Sequence, residues 1–409
     1  MPADEVDEPL ARNRDFKVLL ASQGMSSLGD GVSFIALPLL VFGLTGSGLA
    51  MGVVGALQTF PDLFVGMIAG AMADRSDRKR MMFLADSGRA GLTALIPLSI
   101  ALGGPTMGVI LLVAAPMAIL RSFFLAGYTA SMPTLVGRSL VGQANSYFEA
   151  VYSMGFIIGP AIAGALAATI GPGPTLAIDA LSYVVSAVGL AFVRRELRAP
   201  VDRPRQRLMT EIREGIDYII ASPVLRSAIL FWGVLTIMLA PLILAMTVRV
   251  TRDLGYTPFV LGLILAFYGV GTVLGALVTA RQIGQVRVAE VLIGGSLAMG
   301  LSLFLLGVAV EIPVLLAVAV VAGVVQSMIL VTYITLRTAY SPDELLGRIG
   351  STARTVSLGL QPIGLLVGGA LIDATSGSTT VAAIGIGISL LSLVFIPVRA
   401  LRGATLAPR

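Results

Sequence analysis

Apolar runs of about 20 residues or more, separated by short polar turns, follow one another along almost the whole chain. A hydrocarbon core of about 30 Å needs roughly 20 helical residues to cross it. Twelve runs meet that length: 17–44, 49–73, 79–103, 107–135, 142–170, 173–193, 223–250, 258–282, 287–309, 312–340, 345–374 and 379–400. The pattern predicts an all-α polytopic membrane protein with 12 transmembrane helices in two six-helix bundles. An even number of spans places both termini on one side.

The longest polar interval divides the spans six and six. It gives an N-terminal tail at 1–16, a first bundle at 17–193, a linker at 194–222, a second bundle at 223–400 and a tail at 401–409. Within the linker, Leu208, Met209, Ile212, Ile216, Ile219 and Ile220 recur every three or four positions, which predicts an amphipathic helix on the membrane surface or against the bundle. The halves resemble repeats. A shift of 205 residues lays Gly142 and Ser146 on Gly347 and Ser351, and Gly159, Gly164, Ala165 and Leu166 on Gly364, Gly369, Ala370 and Leu371. Two such units are expected to be related by an axis along the membrane normal, with a central site between them.

Composition agrees, with 56% hydrophobic and 12% charged residues among 409 and a mean hydropathy of +0.92. Charge adds orientation. Most of the 28 Lys and Arg fall in the N-terminus, the turn at 74–80, the loops near 138, 194–222, 281–287 and 337–348, and the C-terminal tail. On the opposite side only Arg249 and Arg252 occur. The bias places both termini in the cytoplasm and accounts for the basic balance without nucleic acid as a partner. Two lysines, Lys17 and Lys79, against a majority of arginines suggest a GC-rich bacterial genome and hence the cytoplasmic membrane. The polar, acidic start, Met1 to Arg14, does not read as a signal peptide. With no His and no Cys there is no imidazole base, no thiol nucleophile and none of the usual zinc ligands, so proton chemistry falls to carboxylates. No cofactor is expected, and the chain is read as a monomer.

The densest charge in the first half is the turn from Gly70 to Arg80, with Asp74, Arg75, Asp77, Arg78, Lys79 and Arg80 between two apolar runs. That turn resembles the signature between the second and third helices of the major facilitator superfamily, G-x-x-x-D-R-x-G-R-[RK]. Gly70, Asp74, Arg75, Arg78 and Lys79 match it, and Asp77 stands where the second glycine is usual. Together with Ser27 to Asp30, Asp86 with Arg89, and Ile178 to Tyr183, the chain looks like the drug and siderophore exporter branch that includes macrolide efflux proteins and enterobactin exporters. Gly155, Gly159, Pro160 and Gly164 in span 5 are similar to that superfamily's antiporter motif, with Ala163 in place of the first paired glycine. Glycines at that spacing let a second backbone approach closely, and Pro160 removes a hydrogen bond so that the helix can bend. The resemblance implies that Asp74 and Arg75 form an ion-pair network that gates one access state.

Ionisable groups inside spans are the candidates for coupling, because burying them is costly without a partner or water. Asp30 lies mid-span on a stripe with Ser22, Ser26 and Ser33, where desolvation opposes the charged form and suits proton exchange. Asp62, after Pro61 in span 2, is the second proton-coupling candidate. Arg121 at the middle of span 4 requires an anionic partner, with Asp30 the first expectation and Glu149 the second. Glu149 and Arg354 occupy equivalent positions under the repeat shift, which suggests a latch between the halves. Asp179, toward the end of span 6, is expected to pack structurally.

In the superfamily spans 1, 4, 7 and 10 face the cavity, so Tyr128, Trp232, Met238, Met246, Gln326 and Tyr333 are the candidate substrate lining, adaptable to apolar ligands. The expected activity is proton-coupled antiport that exports amphipathic or lipophilic small molecules across the bilayer by alternating access. The alternatives are a dedicated siderophore or secondary-metabolite exporter, a lysophospholipid flippase, and a non-transporting receptor or membrane enzyme. Lack of His, Cys and any polar domain outside the membrane argues against an enzyme.

Overall fold

The computed structural model describes residues 8–104, 106–197, 208–282, 287–342 and 345–404. Parts of the N-terminal tail, the linker and the C-terminal tail lie outside the described residues. The chain is all-helical, with no strand among the described residues. Among the described residues, eleven spans are long and apolar enough to cross a membrane, and α4 (Arg78–Ala101) completes the predicted set. Its hydropathy is lowered by Asp86 and Arg89, both buried inside the bundle.

The chain divides into two compact units: Met1–Leu44 with Leu57–Arg203, and Thr45–Ala56 with Pro204–Arg409. The first unit contains α1 (Arg14–Thr45), α3 (Asp62–Ala73), α4, α5 (Thr106–Val136), α6 (Val141–Thr169) and α7 (Pro172–Phe192). Asn13 starts α1: its side-chain oxygen accepts from Phe16 N at 2.9 Å, while its amide donates to the Leu135 carbonyl at 3.0 Å. α4 packs against α5 and α7, and α3 against α5. Phe16, Met82, Phe124, Leu135, Phe148 and Leu190 form a core at one end of this unit.

The second unit holds most of α2 (Gly48–Thr59), followed by α8 (Leu208–Ala221), α9 (Pro223–Leu239), α10 (Leu242–Val248), α11 (Pro258–Gln282), α12 (Gly295–Val308), α13 (Ile312–Ala339), α14 (Leu346–Ala374), α15 (Gly377–Phe395) and α16 (Arg399–Arg402). The predicted linker helix is α8, and it docks on α14. Glu214 pairs with Arg348, and a Cβ on Gly215 would stand 3.2 Å from the Arg348 carbonyl oxygen. The repeat is visible in the helix bounds. α6 and α14 are both 29 residues long and begin at Val141 and Leu346, the same 205-residue shift that relates Pro172 at the start of α7 to Gly377 at the start of α15.

Two predicted continuous spans are broken. Span 2 is α2 plus α3, interrupted at Phe60 and Pro61, because proline has no N–H to donate and its ring crowds the carbonyl four residues earlier. Span 7 is α9 plus α10, interrupted at Ala240 and Pro241, then a π-helical turn at Arg249–Asp253. The units divide within span 2, inside α2 and before the break: Thr45–Ala56 packs with the second unit, and the span from Leu57 on packs with the first. A division of the bundles by sequence order alone places the whole span in the first.

Candidate functional site

A buried polar cluster joins α1, α4 and α7 of the first unit. Arg89 on α4 is its centre. Arg89 Nη2 donates to Asp30 Oδ1 at 3.0 Å and to the Tyr183 hydroxyl at 2.8 Å, and Nη1 donates to Asp86 Oδ1 at 3.2 Å. The guanidinium carbon also stands 4.0 Å from the centroid of the Tyr183 ring. Tyr183 donates its own proton to Asp30. Ser186 donates to Asp86 Oδ2 at 2.5 Å and accepts from Gln23 Nε2 at 3.0 Å. Asp179 takes the Ser33 hydroxyl on Oδ2 and the Ser182 hydroxyl at 3.4 Å on Oδ1, within electrostatic range of Asp30 and Arg89.

The periodicity of each helix brings these groups to one place. On α7, Asp179, Ser182, Tyr183 and Ser186 are spaced three and four apart and so share a face. On α4, Asp86 and Arg89 are three apart, and on α1, Asp30 and Ser33 are likewise. One guanidinium therefore meets two carboxylates, Asp30 and Asp86, with Asp179 nearby. Their burial differs: the side chain of Asp30 is 28% exposed, that of Arg89 5% and that of Asp86 0%. Asp30 is the port of the cluster to solvent, and Asp86 its interior. Arg89 Nε is buried and finds no acceptor among the described residues.

Asp179 is packed inside the first unit as expected, held by the Ser33 and Ser182 hydroxyls beside the Asp30–Arg89 cluster, on a period-matched stripe of α7. Arg121 corrects an expectation. Its Nη2 donates to Asp62 Oδ2 at 2.5 Å and to the Gln58 carbonyl at 2.9 Å, so its partner is Asp62, rather than Asp30 or Glu149. The reason is the break in span 2. A helix end leaves carbonyls without partners, and a cation there also answers the helix dipole. Asp62, the first residue of α3, satisfies the opposite end, and its Oδ1 accepts from Ser122 at 2.8 Å.

In the charged turn, the buried hub is Arg78. Its Nε donates to the Ala73 carbonyl at 3.0 Å and its Nη1 to the Ala130 carbonyl at 2.9 Å, and its Nη2 lies 4.0 Å from Asp74 Oδ1. Asp77 caps α4, accepting from Arg80 N at 3.2 Å. Lys79 donates to the carbonyls of Ala191 and Val193 at 3.2 and 2.6 Å, at the end of α7. Arg75 is exposed and makes no hydrogen bond or ion pair among the described residues, so Asp74 pairs with Arg78 where Arg75 was expected. Gly70 has open space around it.

The glycines of α6 meet α1 beside Asp30. A Cβ on Gly31 would stand 2.3 Å from the Gly155 carbonyl oxygen, and one on Gly159 would stand 2.8 Å from Gly31 Cα. The two backbones touch, with Pro160 and Gly164 buried one turn further along. Of the expected lining, Tyr128 packs edge-on to Phe148 at 4.8 Å against the first unit's core. Trp232 stacks on Tyr333 at 4.7 Å and 9°, which leaves Tyr333 buried beneath it, and Met246 is buried as well. Met238 lies beside Gly387, and Gln326 has a buried side-chain oxygen with no partner among the described residues. Glu149 is exposed on α6 of the first unit and Arg354 is exposed on α14 of the second.

A helical bundle of twelve spans with a charged cluster sealed among three of them defines a membrane transporter. The chain belongs to the transmembrane secretion effector family of the major facilitator superfamily, whose model matches residues 8–409. It is similar to the multidrug efflux pump Tap of Mycolicibacterium fortuitum, 28% identical over 390 residues that cover 93% of this chain and 95% of that protein. It is also similar to the enterobactin exporter EntS of Escherichia coli, 26% identical over 396 residues covering 93% and 91% of the two chains. The crystal structure of the nucleoside transporter NupG shares the fold, with a TM-score of 0.78 at 13% identity over 94% of this chain and 99% of that one.

Proposed function

We propose that the protein is a proton-coupled antiporter of the bacterial cytoplasmic membrane that exports amphipathic compounds by alternating access, with both termini cytoplasmic. The observation that carries the reading is the pair of carboxylates, Asp30 and Asp86, on the single guanidinium of Arg89, with the buried Asp179 nearby. Uncompensated charge is expensive in a low-dielectric interior. One arginine neutralises one carboxylate, so neutrality of the remaining two requires two protons. Asp30, the exposed member, exchanges protons with the aqueous side, and Tyr183 links it to Arg89. A proton moving inward across about 100 mV releases about 2.3 kcal/mol, and each unit of pH gradient adds about 1.4 kcal/mol. That supports a solute gradient of a few hundredfold per proton.

The Tap-like efflux pump and the enterobactin exporter among its relatives support export as the direction. A dedicated metabolite exporter is the second reading, favoured by the latter relative. Asp74 and Arg78 are the proposed gating groups. The test is ethidium accumulation in inverted vesicles under an imposed proton gradient. Asp30→Asn is expected to abolish uphill accumulation while downhill equilibration persists. Uphill transport by that variant with an unchanged pH dependence overturns Asp30 as the coupling site.

A further inference from the structure

Arg121 has more hydrogen-bonding capacity than its surroundings use. It stands at the midpoint of α5, and its side chain is 47% exposed. A cation exposed to hydrocarbon at that depth would be strongly disfavoured, so the exposed face of the guanidinium is assigned to water. Only Nη2 is engaged, by Asp62 Oδ2 and the Gln58 carbonyl. Nη1 and Nε make no hydrogen bond among the described residues. Asp62 is the reverse case: one oxygen is taken by Arg121, the other by Ser122, and the side chain is only 20% exposed. The pair therefore offers free guanidinium donors, beside a carboxylate whose charge is already matched, to whatever approaches its exposed face.

We infer that Arg121 is a substrate-recognition residue, whose free Nη1 and Nε protons bind an anionic oxygen group, a carboxylate or an ionised phenol, on the exported amphipath. The inference rests on the export reading and names the substrate class for it. Asp62 fixes the guanidinium so that little side-chain freedom is lost on binding. An organic cation gains nothing at this place, because the charge of Asp62 is already matched. The anion competes with Asp62 for Arg121, which also holds the Gln58 carbonyl at the end of α2. Occupancy is thereby felt at the break in span 2.

The test uses the full-length protein in inverted vesicles with two probes, anionic fluorescein and cationic ethidium, and the variant Arg121→Gln with Asp62→Asn, which removes both charges together. The ratio of kcat/KM for fluorescein over ethidium is expected to fall about 10-fold or more, the loss of one charge-assisted hydrogen bond, through a higher fluorescein KM. An unchanged ratio overturns the inference. Wild type that carries ethidium but not fluorescein overturns it too and leaves export standing, whereas wild type that carries neither overturns both. If the double variant does not fold, Arg121→Lys is read instead: a lowered ratio supports the inference and an unchanged one overturns it.

Discussion

The carboxylate of Asp373, near the end of α14, caps the N-terminus of α2 at Gly48. Its two oxygens accept from Gly48 N at 2.5 Å, Leu49 N at 3.0 Å and the Ser47 hydroxyl at 2.6 Å. Residues 325 positions apart thus share a helix start. Below the cap, a Cβ on Gly52 would stand 2.5 Å from the Leu365 carbonyl oxygen, so the two helices are in backbone contact. Cap and contact together explain why Thr45–Ala56 groups with the second unit.

Removal of the cap is expected to weaken this contact. Asp373→Ala should cost about 1 kcal/mol, the usual value of a helix cap, read as a lower midpoint of thermal unfolding in detergent. Because the chain has no cysteine, Ser47→Cys with Asp373→Cys gives a clean crosslinking pair. A short bifunctional reagent should join them in membranes, and failure to crosslink would deny the contact.

Arg89 should be the least replaceable residue of the first unit. Arg89→Gln leaves buried Asp86 without its cation, a loss of about 3–5 kcal/mol for one broken buried pair. Little folded protein is then expected by size-exclusion chromatography. Asp86→Asn added to Arg89→Gln should recover part of that yield. Equal yields for the single and double variants would show that the two side chains are not energetically coupled.

The charged turn separates into a buried hub and an exposed member. Arg78→Ala removes charged donors from the Ala73 and Ala130 carbonyls and should destabilise by about 1.5–3 kcal/mol. Arg75→Ala is expected to stay within about 0.5 kcal/mol. Unfolding midpoints in detergent compare them, and the reverse order would contradict Arg78 as the hub.

The crossing of α1 and α6 tolerates no added methyl. Gly31→Ala would drive its Cβ onto the Gly155 carbonyl, where the obstacle is backbone and cannot rotate away. Overpacking of this kind costs about 1–3 kcal/mol. Since Asp30 is the neighbouring residue, gradient-driven ethidium uptake should fall with stability. Gly70→Ala, in open space, is the matched control and should leave unfolding unchanged.

Much of the fold was legible along the chain. The spans, the repeat and the linker helix follow from hydrophobicity and period, because insertion energy is a sum over local residues. Pro61 and Pro241 stand at the two breaks, but Pro38, Pro97, Pro116, Pro133, Pro160 and Pro362 lie inside unbroken helices, so proline alone did not mark them. The site was legible only in parts. Asp30, Asp62 and Arg121 stood out as ions inside apolar runs, and the stripe from Asp179 to Ser186 was readable at helical spacing. Their partners were not. Arg121 was expected to pair with Asp30 first and Glu149 second, whereas it meets Asp62 and the Gln58 carbonyl at the break.

Hydrophobicity and helical period, local properties of the residues themselves, determined which segments enter the bilayer and which side chains share a helix face. Tertiary structure alone decided which faces meet: Arg89 with Asp30, Asp86 and Tyr183, Arg121 with Asp62, and Asp373 with Gly48. The rotation and depth of each helix come from backbone approach at glycines such as Gly31 and Gly155 and from the need to give every buried polar group a partner, which are relations between distant parts of the chain.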